Sequence, residues 1–423
     1  MEYRRLEVGV IDGGDQRILK GIRVLDLTQY FSGPLATLYL SGLGAEVIRV
    51  DAPSGDLSSD TPLYAGPEGV SVERKTEDDL GAVFLKRCRA KKAITLNLKS
   101  EEGKTLFYRL VEKSDVVVDN FSVGVTERLG VSYDTLREIN SQIVQCAITG
   151  FGLTGPDAAK RSYDVIAQAM SGLMSITGEP GGKAMKAGSP LADSISASFA
   201  LSGILAALFH RTRTGYGQLV DISMVDCLFS LIYDDPLEAY DQLGLTMRQG
   251  NRIPRFSPFN VYETRDGEIV IGTSNNEMWR KLAEVMGRQA LAIDDDFGRT
   301  SWRLENNDVV DGVVEAWSKT CSTQEALPKL ESAGIPSSSI PNIHAIKGSP
   351  QMHARGMVTP LLHPTIGPLP GLAAAGFPIK FSNAETGYDG PAVRAGQHNK
   401  EIFGKLLGLI DEDIYRLKDA GII

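Results

Sequence analysis

Two apolar runs, IRVLDL (22–27) and AEVIRVD (45–51), flank a segment that reads as a helix from Pro34 to about Ser41. Of all the sequence features, this strand–helix–strand unit most restricts the fold, because two parallel strands can be joined only by a crossover. Pro34 suits a first helical turn, where its missing N–H is not needed, and Gly33 before it lets the chain turn sharply. Further strand-like runs follow at AITLNL (93–98), SDVVVDNF (114–121) and IVQCAITGF (143–151). A helix begins near Ser100, with Glu101 and Glu102 in an acidic first turn. This alternation predicts an α/β chain whose mostly parallel sheet is covered by helices on both faces.

Residues 1–19 are polar, contain Gly13-Gly14, and read as an N-terminal extension; residues 20–230 form the first part of a large domain. The texture changes at VYETRDGEIVIGT (261–273), where Asp266-Gly267 between two strand-like runs signals a hairpin. With a helix near Trp279–Met286, this marks a smaller α+β domain over 235–335. The Pro/Ser/Gly-rich passages GIPSSSIPN and LHPTIGPLPG predict an extended linker within 340–423. Beyond it a final helix near Lys400–Leu407 returns the chain to the large domain.

Composition removes several function classes. The 423 residues carry a net charge of −9, the wrong sign for neutralising many phosphates of a nucleic acid. Four separated cysteines, Cys88, Cys146, Cys227 and Cys321, with five histidines, form neither a zinc signature nor a disulfide framework, so no metal site is expected. No long apolar run marks a leader or a bilayer span, and a cytoplasmic location is the default expectation.

Chemistry concentrates in a few places. Phe31-Ser32-Gly33 lies where a strand passes into a helix, a natural anion site, but it carries neither GxGxxG nor GxxxxGK[ST]. Lys86, Arg87, Arg89, Lys91 and Lys92 form a basic run suited to phosphates, or to an ordinary solvated face. Asp164, in RSYDVIAQAMSG, fits a catalytic acid or a helix N-cap. Glu179, in ITGEPGG, fits a nucleophile in a mobile loop or a plain surface residue. No GxSxG elbow is present, and every histidine lies at or after His210.

Taken in order, VLDLTQYFSGPLATLYLSGLGAEVIRVDAPSGD, KKAITLNLKSEEGKTLF, DVVVDNFSVGVTERLG, ITGFGLTGPD, YDVIAQAMSGLMSITGEP, RTRTGYGQLVDISMVD and HNKEIFGKLLG resemble the class III coenzyme A-transferases. That family includes formyl-CoA, carnitine-CoA and succinyl-CoA transferases and the α-methylacyl-CoA racemases. The resemblance implies a Rossmann-like large domain built from both chain ends, a smaller inserted domain, and a homodimer of interlocked ring-like subunits. It implies CoA or acyl-CoA as substrate, with no permanently bound cofactor, held at Ser32, Lys91, Asn120, Phe121, Ser122 and Arg128. It also implies an aspartate that attacks the acyl-CoA thioester, giving a mixed anhydride and then an enzyme-bound aspartyl-CoA thioester from which the incoming acid collects CoA.

The chain departs from that pattern in three places. Gly181 stands where the nucleophilic aspartate is expected after the TG-x-P element, Phe31 replaces a glutamine of the first turn, and Ala52 replaces an arginine. Three alternatives follow. Glu179 or Asp164 serves as nucleophile in an acyl-CoA:carboxylate CoA-transferase; Asp164 serves as half of a racemase or epimerase pair moving an α-proton; or the chain is a CoA-binding subunit without a nucleophile, paired with an active paralogue. The expected partners are an acyl-CoA and a small carboxylic acid, with no nucleic acid and no membrane. Arg252 and Arg255, in GNRIPRFSPF, are candidates for a second carboxylate of a dicarboxylic acid or are simply solvated.

Overall fold

The computed structural model describes residues 17–423; most of the expected N-terminal extension therefore lies outside the described residues. Six parallel strands form the main sheet: β1 (Arg23–Asp26), β2 (Glu46–Asp51), β3 (Lys92–Thr95), β4 (Val116–Asp119), β5 (Val144–Thr149) and β6 (Leu219–Ser223). Their order across the sheet is β3-β2-β1-β4-β5-β6. This is the doubly wound order, which reverses direction between β1 and β4 and opens a crevice at the carboxyl ends of those two strands. The strands are nearly continuous runs of Val, Ile and Leu because both faces are covered; Leu25, Ile48, Ile94 and Val117 share one buried core.

Helix α1 (Ser32–Gly42) connects β1 to β2, and α2 (Glu101–Val111) leads from β3 towards β4. The Ser100 hydroxyl caps α2 by accepting from the Gly103 N–H at 3.0 Å, as its acidic first turn predicts. Farther on come α3 (Asp164–Met170) and the long α4 (Leu191–Thr214). The C-terminal segment returns to edge strand β3, where Asn399 accepts from the Thr95 N–H at 2.9 Å and donates to the Thr95 hydroxyl at 2.8 Å. Ile402, Phe403 and Leu417 complete the same core.

The chain divides into two compact units. Among the described residues, one comprises 17–171, 188–231 and 350–423; the other comprises 172–187 and 232–349. The second unit thus begins with a segment that the expected boundaries left inside the large domain. Its sheet pairs β7 (Phe259–Glu263) and β8 (Glu268–Gly272) antiparallel, with β9 (Ser337–Ser339) on the far side of β8. The hairpin closes with the Thr264 N–H donating to the Gly267 carbonyl at 2.8 Å. Trp279, Tyr262 and Ile269 anchor its core.

The linker expectation needs correction. LHPTIGPLPG lies within an antiparallel pair, Val358–His363 with Gly367–Ala375, and two short helices, Ile343–Lys347 and Pro350–Ala354, precede it. In a sheet of two strands every strand is an edge, so prolines need not supply a ladder N–H; the register shifts between Pro360 and Leu362.

Candidate active site

The crevice is shaped first by Asp26, at the carboxyl end of β1. Its Oδ1 accepts from the Thr28 N–H (3.1 Å) and hydroxyl (2.5 Å), and its Oδ2 from the Thr37 hydroxyl of α1 (2.6 Å) and the Lys91 ammonium (2.9 Å). The Lys91 ammonium also donates to the Pro34 carbonyl (2.9 Å) and the Thr37 hydroxyl (2.7 Å). Both the Lys91 and Asp26 side chains have no exposed surface. Lys91 thus locks the first turn from inside, and its three donors are taken by protein acceptors rather than offered to a phosphate.

A second brace spans the strand reversal. Asn120, just past β4, accepts from the Gln29 N–H at 2.9 Å and donates to the Gln29 carbonyl at 2.7 Å. Its side chain therefore ties the turn after β1 to the turn after β4. Tyr30 adopts a left-handed backbone, φ 67°, which costs a residue with a Cβ about 1 kcal/mol. Its carbonyl accepts from Arg87 at 3.1 Å, and the Arg87 guanidinium lies 3.1 Å above the centre of the Phe31 ring. Burial lowers the guanidinium to about 10.

Between these turns lies a cavity of about 370 Å³, a size that suits the reactive end of a small-molecule substrate. Ser32, Asn120, Phe121 and Ser122 line it together with Asp164, as do Lys160, Arg161 and Asp193, which sequence reasoning missed. Of the expected CoA-binding residues, Lys91 and Arg128 are absent from the lining. Arg128 is exposed on the short helix Val125–Leu129.

Asp164 opens α3 but does not cap it; the cap position is Tyr163. Its carboxylate serves a different helix. Oδ1 accepts from the Ala192 N–H at 2.8 Å and the Asp193 N–H at 3.3 Å, both in the first turn of α4, while Oδ2 accepts from the Gln168 amide at 2.6 Å. Helix α4 has no side-chain cap of its own at Pro190, so Asp164 fills orphan N–H positions at the positive end of a 24-residue helix. Burial and then the Asp164 charge push the neighbouring Asp193 carboxyl up to about 6, opposed by Arg87 and by a hydrogen bond from the Ser32 hydroxyl.

Glu179 belongs to the second unit, is exposed, and does not line this cavity. Its carboxylate rests over Gly250, where an added Cβ would meet Oε2 at 2.7 Å. Gly181 takes φ 70° with open space around it, a conformation that accounts for a glycine in this turn. Arg252 pairs with Asp308 and Asp311, and Arg255 with Asp235. Both are thus engaged in ion pairs within their own unit.

The description "CoA-transferase family III" belongs to the family model that matches residues 19–399. The chain is 33% identical over 389 residues to a succinate–glutarate CoA-transferase of Agrobacterium fabrum, spanning 92% of this chain and 95% of that protein. To a succinyl-CoA:mesaconate CoA-transferase of Haloarcula hispanica it is 34% identical over 388 residues, 91% and 95% of the two chains. A crystal structure of a CAIB/BAIF family protein from Brucella suis superposes with a TM-score of 0.79 at 32% identity, covering 93% of this chain and 100% of that one. The motifs along the chain, the fold and the family match agree: the chain belongs to the class III CoA-transferases.

Proposed function

We propose that the protein moves CoA from an acyl-CoA donor to a free carboxylic acid, with Asp164 as the covalent carrier. The observation that carries this is the seat of the Asp164 carboxylate: it lines the same cavity as Ser32, Phe121 and Ser122, with Oδ1 on two backbone N–H groups of α4. An Asp164 oxygen attacks the thioester carbon, the C–S bond breaks, and CoA thiolate leaves a mixed anhydride. The thiolate then adds to the Asp164 carboxyl carbon and expels the donor's carboxylate, leaving aspartyl-CoA. The acceptor carboxylate reverses the sequence. Two of these four steps pass through a tetrahedral centre at the Asp164 carboxyl carbon, and the negative oxygen forming there is Oδ1, already placed on two N–H donors. That arrangement is an oxyanion hole built around the nucleophile itself.

Lys160 and Arg161, lining the cavity, attract the carboxylates of donor and acceptor. Relatives named for succinyl-CoA and for glutarate or mesaconate support a short dicarboxylic acid as one partner. Four buried free cysteines suit a reducing, cytoplasmic setting. A homodimer is part of the same proposal, supported by Phe209 (66% exposed) on α4 and Tyr216 (65% exposed) just beyond it, apolar surface of the kind that a partner covers.

The test is CoA exchange from succinyl-CoA to a panel of acids, including glutarate, mesaconate and oxalate. Asp164→Asn is expected to lose at least about 10³-fold in kcat. Full exchange by that variant sinks the proposal, and deuterium uptake at the α-carbon of a 2-methylacyl-CoA without any acceptor acid replaces it with proton-transfer chemistry.

A further inference from the structure

A second cavity, of about 430 Å³, lies within the first compact unit. It shares no lining residue with the crevice that holds Ser32 and Asn120. Phe377 and Tyr388 form one of its walls and close on Gly42, where an added Cβ would stand 2.6 Å and 2.8 Å from their rings. Gly42 ends the 11-residue helix α1, while Ser32 begins it. A helix of that length spans about 16 Å, so the two cavities lie at opposite ends of α1.

This second cavity holds two cations without counter-charges. Arg89, just past the helix Ala82–Arg87, is 8% exposed, and its guanidinium stacks on the Tyr388 ring at 4.4 Å. Nη1 donates to the Lys86 carbonyl at 2.9 Å and Nη2 to the Ala375 carbonyl at 2.5 Å, which leaves about three of the five guanidinium N–H groups. Lys380 donates to the Phe377 carbonyl at 2.9 Å. Among the described residues neither cation pairs with a carboxylate. Asp389, which lines the same cavity, pairs instead with Arg17. A charge buried this deeply is ordinarily paired, and burial lowers the Arg89 guanidinium below its usual range.

The geometry points to a binding site for a small aromatic monocarboxylate, separate from the crevice where CoA chemistry is proposed. Its carboxylate meets the free edge of Arg89 and the Lys380 ammonium, and its ring packs against Phe377, Tyr388, Pro360 and Leu362. The Phe377 and Tyr388 rings already meet edge to face, with centroids 5.8 Å apart, an arrangement that a third ring extends. A carboxylate suits the site better than a phosphate does. Its single charge and flat edge match a guanidinium edge, and a hydrated inorganic anion would leave the apolar walls uncovered.

Calorimetric titration of the full-length protein tests this with benzoate, benzyl alcohol and inorganic phosphate as probes. Benzoate is expected to bind with a Kd on the order of 1 mM, and Arg89→Gln to weaken it by about tenfold or more. Lys380→Gln should weaken it by about threefold. Thr386 lines the cavity outside any helix or strand, so Thr386→Trp should fill the space and abolish benzoate binding. Retained CoA exchange in that variant shows that its fold is intact. Benzyl alcohol and phosphate, each lacking half of the recognised chemistry, should bind at least about tenfold more weakly than benzoate. Should Arg89→Gln fail to fold, Lys380→Gln and Thr386→Trp carry the test. No saturable benzoate binding, or binding that survives Thr386→Trp, overturns the assignment of the site. Equal affinity for benzyl alcohol or for phosphate overturns the assignment of its ligand.

Discussion

Replacing Lys91 by alanine separates two roles that a basic residue beside a CoA-binding turn can have. The Lys91–Asp26 pair is 2.9 Å long with both side chains wholly buried. The substitution leaves the Asp26 carboxylate in the core with only the Thr28 and Thr37 donors. Breaking a buried pair from one side costs about 3–5 kcal/mol, because the remaining charge is uncompensated. In a domain of this size each kcal/mol lowers Tm by about 2–4 °C, so a fall of roughly 6–20 °C is expected. Differential scanning calorimetry measures it, and steady-state kinetics well below the transition should show KM for succinyl-CoA changed by no more than about twofold. Lys91→Met combined with Asp26→Asn should recover much of the loss, since no charge is then stranded. An unchanged Tm together with a tenfold rise in KM would refute the reasoning and return Lys91 to the phosphates.

Two further outcomes follow from the same region. Burial pushes the Asp119 carboxyl up to about 6, although the Gln145 amide and the Phe121 N–H favour its charged form. The folded protein therefore binds more protons than the unfolded chain between about pH 4 and 6, and this group's contribution to stability falls as pH rises through that window. Asp119→Asn should be more stable than wild type at pH 7, by on the order of 3 kcal/mol at most, with the advantage vanishing below about pH 4. The Gln145 Oε1, which has no partner, can turn to accept from the new amide. Urea midpoints measured across pH check this, and parallel curves would refute it. Gly33→Ala would set a Cβ 2.3 Å from Thr28 Cβ, forcing the first turn open. Calorimetric titration with CoA should show affinity reduced by about tenfold or more, and unchanged binding would show that the turn does not hold CoA.

Much of the fold was legible because parallel strands buried on both faces are written as local apolar runs. Each of the strands expected over 22–27, 45–51, 93–98, 114–121 and 143–151 is present and shorter than expected, the third starting one residue earlier, at Lys92. What local sequence hides is pairing at a distance. Lys91 looks like any cation in a basic run, and only its partner Asp26, 65 positions earlier, makes it an interior residue. Asp193 stands among small residues in ADSISASFALSG. Its one local signal, an acid in the first turn of an apolar helix, is common, and it gains meaning only where α4 meets the loop carrying Asp164. Proline-rich composition concealed the pair Val358–His363 and Gly367–Ala375, since edge strands tolerate residues that central strands do not. Glu179 and Asp164, only 15 positions apart, fall into different compact units, a division that no composition shift announces.

Covalent trapping is the most direct measurement of the central claim. The protein is incubated with succinyl-CoA, quenched with hydroxylamine or borohydride, digested, and the modified carboxyl located by peptide mass spectrometry. Modification at Asp164, absent in Asp164→Asn and retained in Glu179→Gln, is the predicted result. A label on Glu179 with Asp164 untouched, or no label in a protein that binds CoA, would contradict it.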